Sequence, residues 1–216
     1  FEGAGCRSFL DVKPSIQSPI ADLVRNYPIR SKHVIAHIRK ATQGSVALEN
    51  CHPFQRELWG RYWVFAHNGD LKEFRLPTSK FYYPVGQTDS EQAFCLILET
   101  LHASFPNGKP EISQLYQVLH DITAQIATFG TFNYLLSDGE HFFAHCSTHL
   151  NYIVRQAPFA AAHLIDADVT VDFQALTTPS DRVAVIATTP LTDNETWTAI
   201  APGELLVFQD GLPLKD

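Results

Sequence analysis

Apolar positions along this chain change their period twice. Up to about residue 87 they cluster in short runs, from there to 129 they recur at helical spacing, and after 130 they alternate. In the first stretch, SPIADLVRN (18–26) predicts a short helix with Ser18 as N-cap and Pro19 at its first position. SKHVIAHIR (31–39) and RYWVFAH (61–67) predict strands, separated by a loop over 40–54 that Gly44 and Pro53 punctuate.

Two helices follow. QTDSEQAFCLILETLHASF (87–105) carries a stripe of Phe94, Ile97, Leu98, Leu101 and Phe105, opened by a Thr88–Glu91 capping box. Glu111 to Phe129 carries Ile112, Leu115, Leu119, Ile122 and Ile126 on one face, with Gly130 as its stop. Beyond Gly130, FNYLLSDGEHFFAHCST predicts a hairpin around Asp138-Gly139, and further strands are expected near 151–156, 168–173, 182–188 and 204–209. Strands, two consecutive helices, then strands again point to an α+β sandwich of helices on sheet layers. No repeat or low-complexity linker divides it, so a single domain over 1–216 is expected.

Charge and composition narrow the functional classes. With 23 acidic and 16 basic residues the net charge is −7, and no dense basic patch offers itself to nucleic acid. No apolar run reaches the roughly 18 residues of a membrane span. Cys6, Cys51, Cys95 and Cys146 form no CxxC pair, which suits reduced thiols in the cytoplasm. There are ten histidines but no HExxH, and His33 with His37 lacks a third ligand, so neither a metal nor another cofactor is expected. The chain has no methionine and opens on FEGAGCRSFLD, which has the look of a hairpin lacking its first arm; a missing native N-terminal segment is the expectation.

Candidate chemistry sits at the ends of elements, where sites are commonly built. In AHIRKATQG, Arg39 closes a strand and opens a polar loop; in AHNGD, Asn68-Gly69 ends the next; in GQTDSE, Asp89 lies in the first turn of the long helix. Asn-Gly after a strand predicts a tight turn. The same pair can also bind an oxyanion through the Asn68 side-chain N–H and the Gly69 backbone N–H. Arg39 suits a carboxylate, held by two parallel hydrogen bonds, and Asp89 suits an ammonium. A small molecule with an α-carboxylate, an α-ammonium and a distal carbonyl satisfies all three, and glutamine or another γ-glutamyl compound is such a ligand.

In order, AHIRKATQG, ENCHPF, AHNGD and GQTDSE resemble the class II glutamine amidotransferase domain of the N-terminal-nucleophile hydrolase superfamily, in its YafJ-type stand-alone subgroup. The resemblance spans about Phe1 to Phe208. It implies a four-layer α/β/β/α sandwich with mostly antiparallel sheets. It also implies an oxyanion hole at Asn68 and Gly69, a carboxylate contact at Arg39 helped by Thr42, and an amine contact at Asp89. The family's mobile glutamine loop falls on about Arg39 to Ala47. Lys40 and Gln43 depart from the aromatic residue and histidine that members often carry there, which puts loop closure in question.

By the same resemblance the nucleophile is the thiol of an N-terminal cysteine whose own α-amine is the general base. An α-amine titrates at about 7.7–8.0 and is partly neutral at pH 7. Residue 1 is Phe, so that cysteine is expected upstream, exposed by removal of an initiator Met. Cys51 beside His52 is the one internal alternative; Cys95 and Cys146 are expected in the core, and His67 as a buried hydrogen bonder. The expected activity is cleavage of a γ-glutamyl amide through a γ-glutamyl thioester. The rivals are a γ-glutamyl peptidase-like subunit acting on glutathione and a non-catalytic amino-acid-binding module. No acceptor domain is visible, so the chain is expected to act alone, as a homodimer or with a partner subunit.

Overall fold

The computed structural model describes residues 1–38, 46–166 and 169–214. Its strands are β1 (Phe54–Leu58), β2 (Arg61–Leu71), β3 (Gly130–Ser137), β4 (Phe142–His145), β5 (Asn151–Gln156), β6 (Ala161–Leu164), β7 (Val169–Asp172), β8 (Arg182–Ala187), β9 (Thr198–Ala199), β10 (Leu205–Gln209) and β11 (Leu212–Pro213). The helices are α1 (Pro19–Asn26), α2 (Asp89–Ser104) and α3 (Ile112–Ala127). Every strand pairing among the described residues is antiparallel. The main sheet runs β1-β2-β3-β4-β10-β11, a second runs β8-β5-β9, and β6-β7 form a separate hairpin. The fold is the expected α+β sandwich.

Two apolar layers hold it together. Helices α2 and α3 lie on one face of the main sheet, where the expected stripe residues Phe94, Ile97, Leu98, Leu101, Leu115, Leu119 and Ile126 are all fully buried. Phe65 of β2 stacks on Phe94 with centroids 5.1 Å apart, fixing α2 over the strand that leads to Asn68. A second cluster of Phe142, Ala144, Phe208 and Ile200, with Tyr152, Ala184 and Ile186 against it, joins the main sheet to the second sheet. No described helix is long and apolar enough to cross a membrane.

Four local expectations need correction. Residues 31–38 alternate half-buried and exposed like an edge strand, yet pair with no described strand; side-chain contacts such as His33 Nδ1 with Ser137 Oγ at 2.7 Å tie the segment down instead. Gly130 does not simply stop α3: it opens β3 at φ 154°, and a Cβ there would run into the Asp70 carbonyl. The capping box is half-made. Thr88 Oγ1 accepts from Glu91 N at 3.1 Å, but the Glu91 carboxylate turns to the Val85 and Gly86 N–H groups and to Arg56. Most consequentially, Asn68-Gly69 is no corner. β2 continues through both residues to Leu71, with Asn68 facing Asn133 and Gly69 facing Phe132 on β3.

Candidate active site

The geometry around Gly69 follows from strand alternation. Phe132 N–H donates to Ser147 Oγ at 2.7 Å, away from β2, so the Gly69–Phe132 pair is of the non-hydrogen-bonded kind. Leu71 N–H, two residues on, donates sideways to Asp89 Oδ2 at 2.7 Å. Lys72 N–H donates to the Phe129 carbonyl on the opposite side. Gly69 N–H therefore points to the edge of β2 on the β1 side. There β1 pairs only as far as Phe65, and beyond it no described strand covers the edge. An exposed backbone donor is thus left at the solvent-facing end of a strand whose preceding residues are buried.

Gly69 must be glycine for space rather than for φ. A Cβ would fall onto the Thr131 carbonyl oxygen and 2.6 Å from His67 Nε2. His67 itself is 2% exposed and bonded at both ring nitrogens, Nε2 to the Thr131 carbonyl at 2.9 Å and Nδ1 to Ser90 Oγ at 2.8 Å. A carbonyl only accepts, so Nε2 carries the proton; with the ring neutral, Nδ1 takes the Ser90 hydroxyl hydrogen at 2.8 Å in preference to Asp89 Oδ1 at 3.3 Å. Burial holds this imidazole below the usual histidine range; the Thr131 bond and the Asp89 and Asp70 charges pull the other way. It is a neutral strut beside the site, as the sequence suggested, and not a base.

Asp89 reaches the same edge from the first turn of α2. Besides Leu71 N–H it accepts from Ser90 N at 2.8 Å, and the half-buried carboxylate keeps further lone-pair capacity for a ligand's ammonium. GQTDSE and ENCHPF, far apart in sequence, are clasped together: Asn50, 1% exposed, accepts from Gln87 N at 3.0 Å, and Gly86 packs onto it so closely that a Cβ would lie 2.8 Å from the Glu49 carbonyl. Buried Glu91 pairs with Arg56 of β1 beneath this clasp. The structure thus brings Asn68, Gly69 and Asp89 to one end of the sheet. Arg39 and Thr42, with Lys40 and Gln43, lie outside the described residues.

Sequence reasoning missed the Ser90–His67 bond, the Arg56–Glu91 pair and Asn133. The last is 3% exposed and bonded to Asn68, a juxtaposition that only strand register creates. No disulfide joins the four cysteines. Burial pushes the Cys95 thiol up to about 11 and raises those of Cys146 and Cys6. Cys51 Sγ faces the carbonyls of Ala47 and Asp11 at 3.5 and 3.6 Å. Among the described residues the one grouping of metal-type ligands is Asp138, Glu140 and His141. Lys109 already occupies it, with Nζ 2.5 Å from Asp138 and 2.8 Å from Glu140.

Asn68, Gly69 and Asp89 lie at one end of the larger sheet of an α+β scaffold. The family described as "Glutamine amidotransferases class-II" matches residues 1–215, and the chain belongs to it. It is 50% identical over 208 residues to the "Putative glutamine amidotransferase YafJ" of Escherichia coli K12, covering 96% of this chain and 82% of that one. The "Putative glutamine amidotransferase" of Haemophilus influenzae Rd is 49% identical over 211 residues, 98% of this chain and 71% of that one. The crystal structure of a predicted glutamine amidotransferase from Pseudomonas aeruginosa PA01 superposes with a TM-score of 0.74 at 51% identity, over 83% of this chain and 70% of that one.

Proposed function

We propose that the protein hydrolyses a γ-glutamyl amide, glutamine being the simplest, through a γ-glutamyl thioester on an N-terminal cysteine of the native protein. The observation that carries this reading is the Gly69 N–H, left at an open sheet edge beside the exposed Asn68 side chain, with Asp89 bonded two residues away. The thiolate adds to the amide carbon while the Asn68 and Gly69 N–H groups take up the negative charge on oxygen. The tetrahedral adduct collapses, its C–N bond breaks, and a proton from the cysteine's α-ammonium leaves with ammonia. Water then adds to the thioester carbon, the same amine takes its proton, and glutamate departs as the thiol is restored.

In this scheme Arg39 and Thr42 bind the α-carboxylate and Asp89 the α-ammonium, so recognition lies in the glutamyl group. The burial that raises the Cys6, Cys95 and Cys146 thiols supports a nucleophile other than these three. We place the protein in the cytoplasm, acting as a homodimer or beside a partner subunit. In the full-length native protein, Asn68→Ala should lower kcat for glutamine hydrolysis by about 10²–10³ with little change in KM. An unaltered kcat would return Asn68 to an ordinary strand residue. A thiol-reactive glutamine analogue should label the N-terminal cysteine, and labelling of Cys51 instead would overturn the scheme.

A further inference from the structure

The peptide unit that offers the Gly69 N–H ends, on its other side, in the Asn68 carbonyl. That carbonyl accepts a hydrogen bond from the Asn133 side chain, Nδ2 to oxygen at 3.2 Å. By the alternation already described, Asn68 and Asn133 form a hydrogen-bonded cross-strand pair, so the carbonyl is served by the ladder as well. The side-chain bond takes the carbonyl's second lone pair. It is therefore an addition that sheet formation does not require.

Asn133 is held for this purpose from every direction. Its Nδ2 also donates to Thr148 Oγ1 at 2.8 Å, and its Oδ1 accepts from Ser147 N at 2.8 Å and Thr148 N at 3.0 Å. Two donors and two acceptors are all used, which leaves the amide one orientation, since a flip would set oxygen against the Asn68 carbonyl and NH₂ against two N–H groups. Ser147 Oγ meanwhile takes the N–H of Phe132, the residue facing Gly69. The loop after β4 thus braces β3 at the two positions that face Asn68 and Gly69.

We propose that Asn133 is a positioning residue for amide hydrolysis: it fixes the plane of the Asn68–Gly69 peptide and polarises it, so that the Gly69 N–H is aimed and strengthened as an oxyanion donor. The proposal rests on the hydrolase reading above. Its physical basis is cooperativity, because a donor on a peptide's oxygen makes the N–H of that peptide a better donor, by about 10–30% per bond. The effect is confined to a step in which negative charge develops opposite Gly69, so it acts on the transition state more than on substrate binding.

The test uses the full-length native protein with glutamine. Asn133→Asp keeps the acceptor for Ser147 and Thr148 but replaces the donor by a carboxylate oxygen facing the Asn68 carbonyl. The expected result is a kcat reduced by about tenfold or more, short of losing the donor outright, with KM nearly unchanged. In parallel the Gly69 amide proton should move upfield in the NMR spectrum. Thr148→Val, at an exposed position, removes one of the partners that orient the amide and should give a smaller loss of the same kind. If Asn68→Ala and the Asn133 variant both leave kcat unaltered, the hydrolase reading falls. If Asn68→Ala lowers kcat while folded Asn133→Asp changes neither kcat nor the Gly69 resonance, the positioning role is overturned. Should Asn133→Asp fail to fold, Thr148→Val decides by the same two readouts, and normal values of both overturn it.

Discussion

Gly69→Ala isolates the close approach of β2 to β3. The added methyl would overlap the Thr131 carbonyl oxygen, which is backbone and cannot rotate away, and would stand 2.6 Å from His67 Nε2. The φ of Gly69 lies outside the left-handed region, so the whole penalty is steric. Overpacking of this kind costs about 1–3 kcal/mol. Relieving it by parting the strands also breaks the 2.9 Å bond from His67 Nε2 to that carbonyl, leaving a buried N–H unsatisfied at about 1–3 kcal/mol. Together the loss is about 2–6 kcal/mol, against which the entropy gained by fixing a former glycine offsets less than about 1. For a chain of this size that lowers Tm by roughly 4–24 °C. Thermal unfolding followed by circular dichroism measures it, with Asn68→Ala as the neighbouring control. A Gly69→Ala variant melting with wild type would refute the close approach, and with it the argument that glycine is required here for space.

Asp89 is tested by a cycle: substrate analogues lacking the α-amine should be poor for wild type and much less disfavoured for Asp89→Asn, and an equal loss in both would leave Asp89 only a support for Leu71 N–H. Arg56→Met strands the Glu91 carboxylate, 2% exposed, without its cation and should cost about 3–5 kcal/mol in urea unfolding; a cost under about 1 would show that the Val85 and Gly86 N–H groups suffice. Burial lowers the titration of His33, His67, His141 and His145, so the unfolded chain binds protons first as pH falls below about 6.5 and stability drops from there toward the folded-state values. Melting temperatures between pH 8 and 5 should show that decline, and a flat profile would contradict the burial of these rings as neutral species.

The helices were legible because each carries its own period: of the five stripe positions named in each from spacing, four are buried, and only Phe105 and Ile112 at the helix ends are half-exposed. β1 was not, since FQREL has only Phe54 and Leu58 to bury and its Arg56 serves an ion pair with a residue on α2. Asn68 and Asp89 were singled out because their side-chain types, at what the sequence reads as element ends, imply chemistry. The local rule for Asn-Gly nonetheless gave the wrong conformation there. A turn rule sees only the dipeptide, whereas the ladder with β3 extends pairing across it. Asn133 was beyond reach for the same reason, as nothing in FNYLLS marks an asparagine that pairing will set against Asn68.

The ladder between β1 and β2 pairs Phe54 with Phe65 and goes no further; four residues more would set Asn50 opposite Gly69. Instead the chain coils at Leu48–Asn50, and the Asn50 amide grips Gln87 N–H. Donor availability at Gly69 is thus a matter of two strands having unequal lengths. A lesion in residues 46–53 that let them zip on would plug that N–H with a neighbouring carbonyl. Every residue named at the site would remain intact, and the proposed hydrolysis would stop.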